Sequence, residues 1–116
     1  CRVPVAMSSY AKSQMLSQGV REERIASVDT LYEVNKEGCG HCKKGWTGRS
    51  AIFELILPTP DVRLAIEDRN LKALVRAAQE QAQYQTLSQC AMHLVLDGMT
   101  SLTESMAVAG SGFFID

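Results

Sequence analysis

The sequence predicts an α+β fold: a small antiparallel strand pair with a cysteine knuckle, followed by a bundle of about four helices. Three observations predict it. Gly38-Cys39-Gly40-His41-Cys42 sets two cysteines two residues apart among glycines, so both sulfurs can face one metal ion while the backbone curls round it. Alternating segments flank this turn, Leu31-Tyr32-Glu33-Val34 before it and Ser50 to Leu57 after it. From Pro58 onward, apolar residues recur at helical spacing between cap and stop signals.

The elements follow in order. Cys1 to Val5 is extended, because Pro4 blocks a helix. Ser8 or Ser9 caps a short helix to about Ser17, with Met15 and Leu16 inward and Gly19 as its stop. Val20 to Ala26 supplies one further turn around Val20 and Ile25. Leu31 to Val34 is the first strand of the pair and Ser50 to Leu57 the second, with the cysteine turn and the Gly45 to Gly48 loop at one end.

Thr59, Pro60 and Asp61 then form a helix start, since Pro fits the first helical position and an acid suits the positive helix end. Val62, Ala65 and Ile66 face inward on that helix, and Leu71, Leu74, Val75 and Ala78 on the next. Leu87 to Leu96 is a third helix ended by Gly98. Ser101 with Glu104 three residues later is a capping box that starts a fourth, ended by Gly110. Phe113 and Phe114 close the chain as an aromatic pair. The organisation predicted is a knuckle subdomain over 1–57 and a helical subdomain over 58–116.

Composition bounds the function. At 116 residues the chain can bury one modest core. Its 12 basic and 13 acidic residues give a net charge of −1, which argues against nucleic-acid or anionic-lipid binding. The longest apolar run, Ala51 to Leu57, is too short to insert in a membrane and is broken by Glu54. A first residue that is Cys, with no basic and apolar leader, reads as a piece of a longer chain. Cysteines at 1, 39, 42 and 90 are too few for a disulfide scaffold and suit a reducing, cytoplasmic setting.

The close pair admits three readings. A tetrahedral zinc site needs four ligands, and Cys1 is the one candidate for a second pair, which makes Cys1, Cys39 and Cys42 the metal residues, with the first cysteine of the set missing. His41 could replace that ligand, although its side chain should point away from a metal held by both neighbours. A thioredoxin-like redox pair would need a helix start in a βαβ pattern, whereas this pair sits between strands. Incidental thiols are the third reading. Cys90 reads as a small core residue and His93 as a partly buried structural histidine.

The glycine spacing from Gly40 to Thr47 imitates a nucleotide-binding P-loop, but Trp46 stands where the phosphate-binding Lys is required. No Ser/His/Asp arrangement or carboxylate pair is present, so the chain carries no catalytic or nucleotide-binding motif. Trp46 is expected to cover the metal loop, Arg49 to pair with a carboxylate, and Glu54 to face opposite Phe53 and Leu55.

The run Gly38-Cys39-Gly40-His41-Cys42-Lys43-Lys44-Gly45-Trp46-Thr47-Gly48-Arg49-Ser50-Ala51-Ile52-Phe53-Glu54-Leu55 resembles the C-terminal region of the type II secretion and type IV pilus assembly ATPases. Their pattern is a tetracysteine zinc motif whose second pair is followed by Gly-Tyr-x-Gly-Arg and an apolar strand with Glu, with Trp46 here in the Tyr position. Gly98-Met99-Thr100-Ser101-Leu102-Thr103-Glu104-Ser105-Met106 is similar to the family's closing segment.

The resemblance implies a C-terminal module of a cytoplasmic, bacterial, hexameric ATPase at the inner face of the inner membrane. That machine powers pilus assembly or secretion and meets an inner-membrane platform protein. Zinc would be held here, while ATP and magnesium would bind only in domains upstream of Cys1. The alternatives are a freestanding zinc-ribbon module that binds protein or nucleic acid, for which only Lys43, Lys44 and Arg49 offer basic charge near the knuckle, and a thiol oxidoreductase.

Overall fold

The computed structural model describes residues 1–109; the expected stop at Gly110 and the pair Phe113-Phe114 lie outside them. Two compact units form, and the first is not continuous in sequence. Residues 1–52 fold with the segment that begins at Leu87, and Phe53–Thr86 makes the second unit.

In the first unit, strand β1 (Arg2–Ala6) pairs antiparallel with β2 (Thr30–Val34), Arg2 opposite Val34 and Ala6 opposite Thr30. Helix α1 (Ser9–Ser17) starts where the Ser8 hydroxyl accepts a hydrogen bond from the Ala11 N–H at 3.0 Å. It stops at Gly19, whose φ of 87° lets the Gly19 N–H reach the Leu16 carbonyl and the Val20 N–H reach that of Met15. Met15 and Val20 are both buried, so this helix stop also fills the core. Leu16 is 44% exposed, against expectation. Ala11 and Met15, four residues apart, set the buried stripe, and Leu16 lies about 100° round the helix from it.

The predicted extra turn is α2 (Glu22–Ala26), which buries Ile25. Helices α5 (Leu87–Leu96) and α6 (Leu102–Ala109) complete the unit. Met92, Val95 and Leu96 of α5 join Ala11, Met15, Val20, Ile25 and Leu31 in one apolar core. Arg24 of α2 pairs with Asp97 just past α5. Gly98, at φ 75°, ends α5, and the Ser101 hydroxyl accepts from the Glu104 N–H at 3.1 Å to begin α6. Cys90 is buried in α5 and His93 half-buried there, as the sequence suggests.

The second unit is a helix pair, α3 (Pro60–Glu67) and α4 (Leu71–Gln79). Thr59 caps α3 and Asn70 caps α4, each through a side-chain oxygen. Val62, Ala65, Ala77 and Ala78 are buried. Ile66 and Leu71, expected inward, are 59% and 70% exposed. Small alanines on α4 leave a narrow buried stripe, and Leu71 is the first helical residue, with no preceding turn to fold back on.

The strand pair and the helices after it occur in the expected order, but the partner of β2 is β1 and not Ser50 to Leu57, which forms no strand. The Leu57 N–H and C=O, the groups a strand neighbour would use, are both held by the Gln81 side-chain amide at 2.9 Å. No helix among the described residues is long and apolar enough to cross a membrane.

Candidate metal centre

The β1–β2 ladder brings the distant cysteine to the close pair. Beyond the Arg2 and Val34 pairing, the Asn35 N–H donates to the Cys1 carbonyl at 2.9 Å, so the ladder runs one residue further and sets Cys1 beside the residues that follow β2. Asn35 then turns the chain: its side-chain oxygen accepts from the Glu37 N–H at 3.1 Å and its carbonyl from the Gly38 N–H at 3.0 Å.

Two glycines, Gly38 and Gly45, leave little room for a side chain and shape the knuckle. Gly38 has φ 69°, and a Cβ there would sit 3.2 Å from Cys42 Sγ and 3.2 Å from the Lys44 nitrogen. Past Cys42, Lys43 and Trp46 exchange both backbone hydrogen bonds, at 2.9 and 3.0 Å, across Lys44 at φ 52° and Gly45 at φ 94°. Two successive positive φ values are those of a type I′ hairpin turn. A Cβ on Gly45 would lie 2.4 Å from Val34 Cγ2 and 2.6 Å from the Asn35 carbonyl oxygen. The knuckle is thereby packed directly on the end of β2.

The sulfurs of Cys1, Cys39 and Cys42 all lie within 4.8 Å of one another. Sulfurs bound to a tetrahedral zinc at about 2.3 Å are about 3.8 Å apart, so this donor set fits a single thiophilic ion. Amide hydrogens already point at the sulfurs. The Cys39 N–H donates to Cys42 Sγ at 3.1 Å and the His41 N–H to Cys39 Sγ at 3.3 Å. Burial acts to raise the Cys42 thiol, but the backbone N–H groups of Gly45 and Cys39 and the Cys39 side chain act against it, and the thiol lies below its ordinary range. Such a sulfur is prepared to ligate as thiolate.

The other candidates fall elsewhere. The His41 ring is outside the three-sulfur group, and Cys90 is buried within α5. Trp46 lines a cavity of about 350 Å³ together with the three cysteines, but it is 39% exposed and not the core residue a lone Trp usually is. Arg49 lines a second cavity of about 410 Å³ beside Met99 and Val108. Glu54 accepts a hydrogen bond from the Tyr84 hydroxyl at 3.3 Å. Sequence reasoning passed over Asn35, whose Asn-x-x-Gly spacing before the cysteines is a legible turn signal, and Arg2, for which the sequence carries no signal.

The family model described as Type II/IV secretion system protein matches residues 8–107. The chain is 29% identical over 94 residues to the type IV pilus assembly ATPase PilB of Pseudomonas aeruginosa, covering 80% of this chain and 16% of that protein. It is 38% identical over 76 residues to the putative type II secretion system protein E of Escherichia coli, covering 64% of this chain and 15% of the relative. A PilB of Acinetobacter baylyi is 27% identical over 106 residues, covering 90% of this chain and 17% of its own length. The chain thus spans about one sixth of the length of these curated relatives. No solved structure matches it.

Proposed function

The chain belongs to the Type II/IV secretion system protein family, and from that premise we propose that it is the C-terminal module of a cytoplasmic, hexameric ATPase that powers type IV pilus assembly or type II protein secretion. The observation that carries this reading is the family match across residues 8–107. Two relatives bear the name of a pilus assembly ATPase, which supports the assignment of ATP hydrolysis to the whole protein. This chain has no Walker motif, so ATP and magnesium belong to domains upstream of it.

The module's own work is structural. Cys1, Cys39 and Cys42 would hold zinc, with the fourth ligand supplied from before Cys1. The metal closes the loop between residues 1 and 42 and substitutes for part of the core that a small fold lacks. Exposed Leu64, Ile66 and Leu71 support a contact role for the α3–α4 pair, toward a neighbouring subunit or an inner-membrane platform protein at the inner face of that membrane.

The test is made on the full-length protein. It should hydrolyse ATP and carry about one zinc per subunit, and Cys39→Ser should lower zinc content and destabilise this module while nucleotide still binds. Absence of ATP hydrolysis in the full-length protein would overturn the motor assignment. Metal-free protein after purification without chelator would overturn the zinc role.

A further inference from the structure

We infer that Arg2 is a positioning residue that couples metal binding at Cys1, Cys39 and Cys42 to the α5–α6 turn that begins at Gly98. The inference rests on the proposed metal site. It gives a structural role to the segment Gly98 to Ser101, which neither the metal site nor any catalytic motif requires.

Arg2 follows Cys1 directly and is engaged twice. Its Nη1 donates to the Gly98 carbonyl at 2.9 Å, and its guanidinium carbon lies 4.2 Å from the centre of the Tyr32 ring. A planar guanidinium can do both at once, its edge donating while its face rests on an aromatic ring, which an ammonium cannot reproduce. Gly98 is shaped for this contact as well as for ending α5. A Cβ there would stand 2.7 Å from Arg2 Nη1 and 3.2 Å from two carbons of the Tyr32 ring.

The consequence lies in how Cys1 is held. All five residues of β1 are exposed, and a two-stranded ribbon is marginal by itself. The ladder to β2 fixes Cys1, the stacking of Arg2 on Tyr32 adds a diagonal contact to that same strand, and the bond to Gly98 ties the backbone to the turn after α5. Arg2, Gly98 and the three cysteines line one cavity of about 350 Å³. Metal that restrains Cys1 therefore restrains Arg2 and, through it, the turn; by linkage, an ordered turn raises metal affinity.

The experiment uses the full-length protein with cobalt(II) as the probe, read by thiolate-to-metal charge-transfer absorbance and by chelator competition. Arg2→Met keeps a long stem without the guanidinium. It should lose one thiolate's share of the absorbance and weaken metal binding by about 10–100-fold, the usual cost of removing an outer-shell partner. Arg2→Lys, which keeps a cation over Tyr32, should fall between it and wild type. Tyr32→Leu, a second variant in case Arg2→Met does not fold, should shift affinity in the same direction. In wild type, metal should slow hydrogen exchange at the Met99 and Thr100 amides, and in Arg2→Met it should not. Wild-type affinity and full absorbance in Arg2→Met would overturn the clamp alone, whereas wild type that takes no cobalt would overturn the metal site and the clamp together.

Discussion

Gln81 holds Leu57 by both backbone groups: its Nε2 donates to the Leu57 carbonyl and its Oε1 accepts from the Leu57 N–H, each at 2.9 Å. A side-chain amide here does what an adjacent strand would do. Replacing it with Gln81→Leu should destabilise the unit Phe53–Thr86 by about 1–2 kcal/mol, since two modest hydrogen bonds are lost. Hydrogen exchange at the Leu57 amide checks it, and protection equal to wild type would contradict the pairing.

Tyr84 in the same unit should titrate late. Burial first, and then the charge and hydrogen bond of Glu54, raise its phenol above the ordinary value of 10.0. A raised value means that the folded state favours the neutral phenol. The stabilisation is present below the ordinary tyrosine range and is lost as the pH rises through the titration of Tyr84 itself. Glu54→Gln should move that titration down, followed by tyrosinate absorbance with Tyr84→Phe identifying the phase. An unchanged titration would remove Glu54 as a cause.

Two glycines of the knuckle should respond unequally to substitution. Gly45→Ala must place a methyl 2.4 Å from Val34 Cγ2 at φ 94°, a combined clash and strain that should cost on the order of 3 kcal/mol. Gly40 has nothing within 4 Å of a built Cβ and no positive φ, so Gly40→Ala should stay within about 0.5 kcal/mol of wild type. Thermal melts of the two variants decide this, and similar melting points would count against the packing of the knuckle on β2.

Metal removal should separate the cysteines. Chelation should lower the melting temperature of wild type but not of Cys39→Ser, while Cys90→Ser, altered at a buried α5 residue outside the sulfur group, should remain sensitive. Affinity should fall on acidification, because ligation needs thiolates. A chelator effect that survives in Cys39→Ser would place the metal elsewhere.

Arg69 adopts φ 52° in the link between α3 and α4, where its N–H closes the α3 end on Ile66. Arg69→Gly should relieve the left-handed conformation and stabilise that unit by about 0.5–1 kcal/mol. A destabilised variant in denaturant titration would show that the arginine side chain contributes more than its backbone costs.

Local chemistry was readable in order. The Ser8, Thr59 and Ser101 caps and the Gly19 and Gly98 stops need only neighbouring residues, and each sits where its helix begins or ends. Helix faces were read less well at Leu16, Ile66 and Leu71, because periodicity ranks faces by hydrophobicity while burial depends on what packs against them. The apolar Ser50 to Leu57 stretch read as a strand, yet strand formation requires a partner, and Gln81 had taken Leu57.

The sequence by itself determined the cysteine turn, because Cys39, Cys42 and their glycines act within a few residues of one another, and it determined the family resemblance through the Gly45 to Arg49 and Gly98 to Met106 segments. It also named Cys1 as the third sulfur by counting ligands. Tertiary structure alone decided how Cys1 arrives. The β1–β2 register, the Asn35 bond to the Cys1 carbonyl and the reach of Arg2 across 96 positions to Gly98 join residues far apart in the chain. Pairing register and packing are properties of the assembled fold, and no local spacing encodes them.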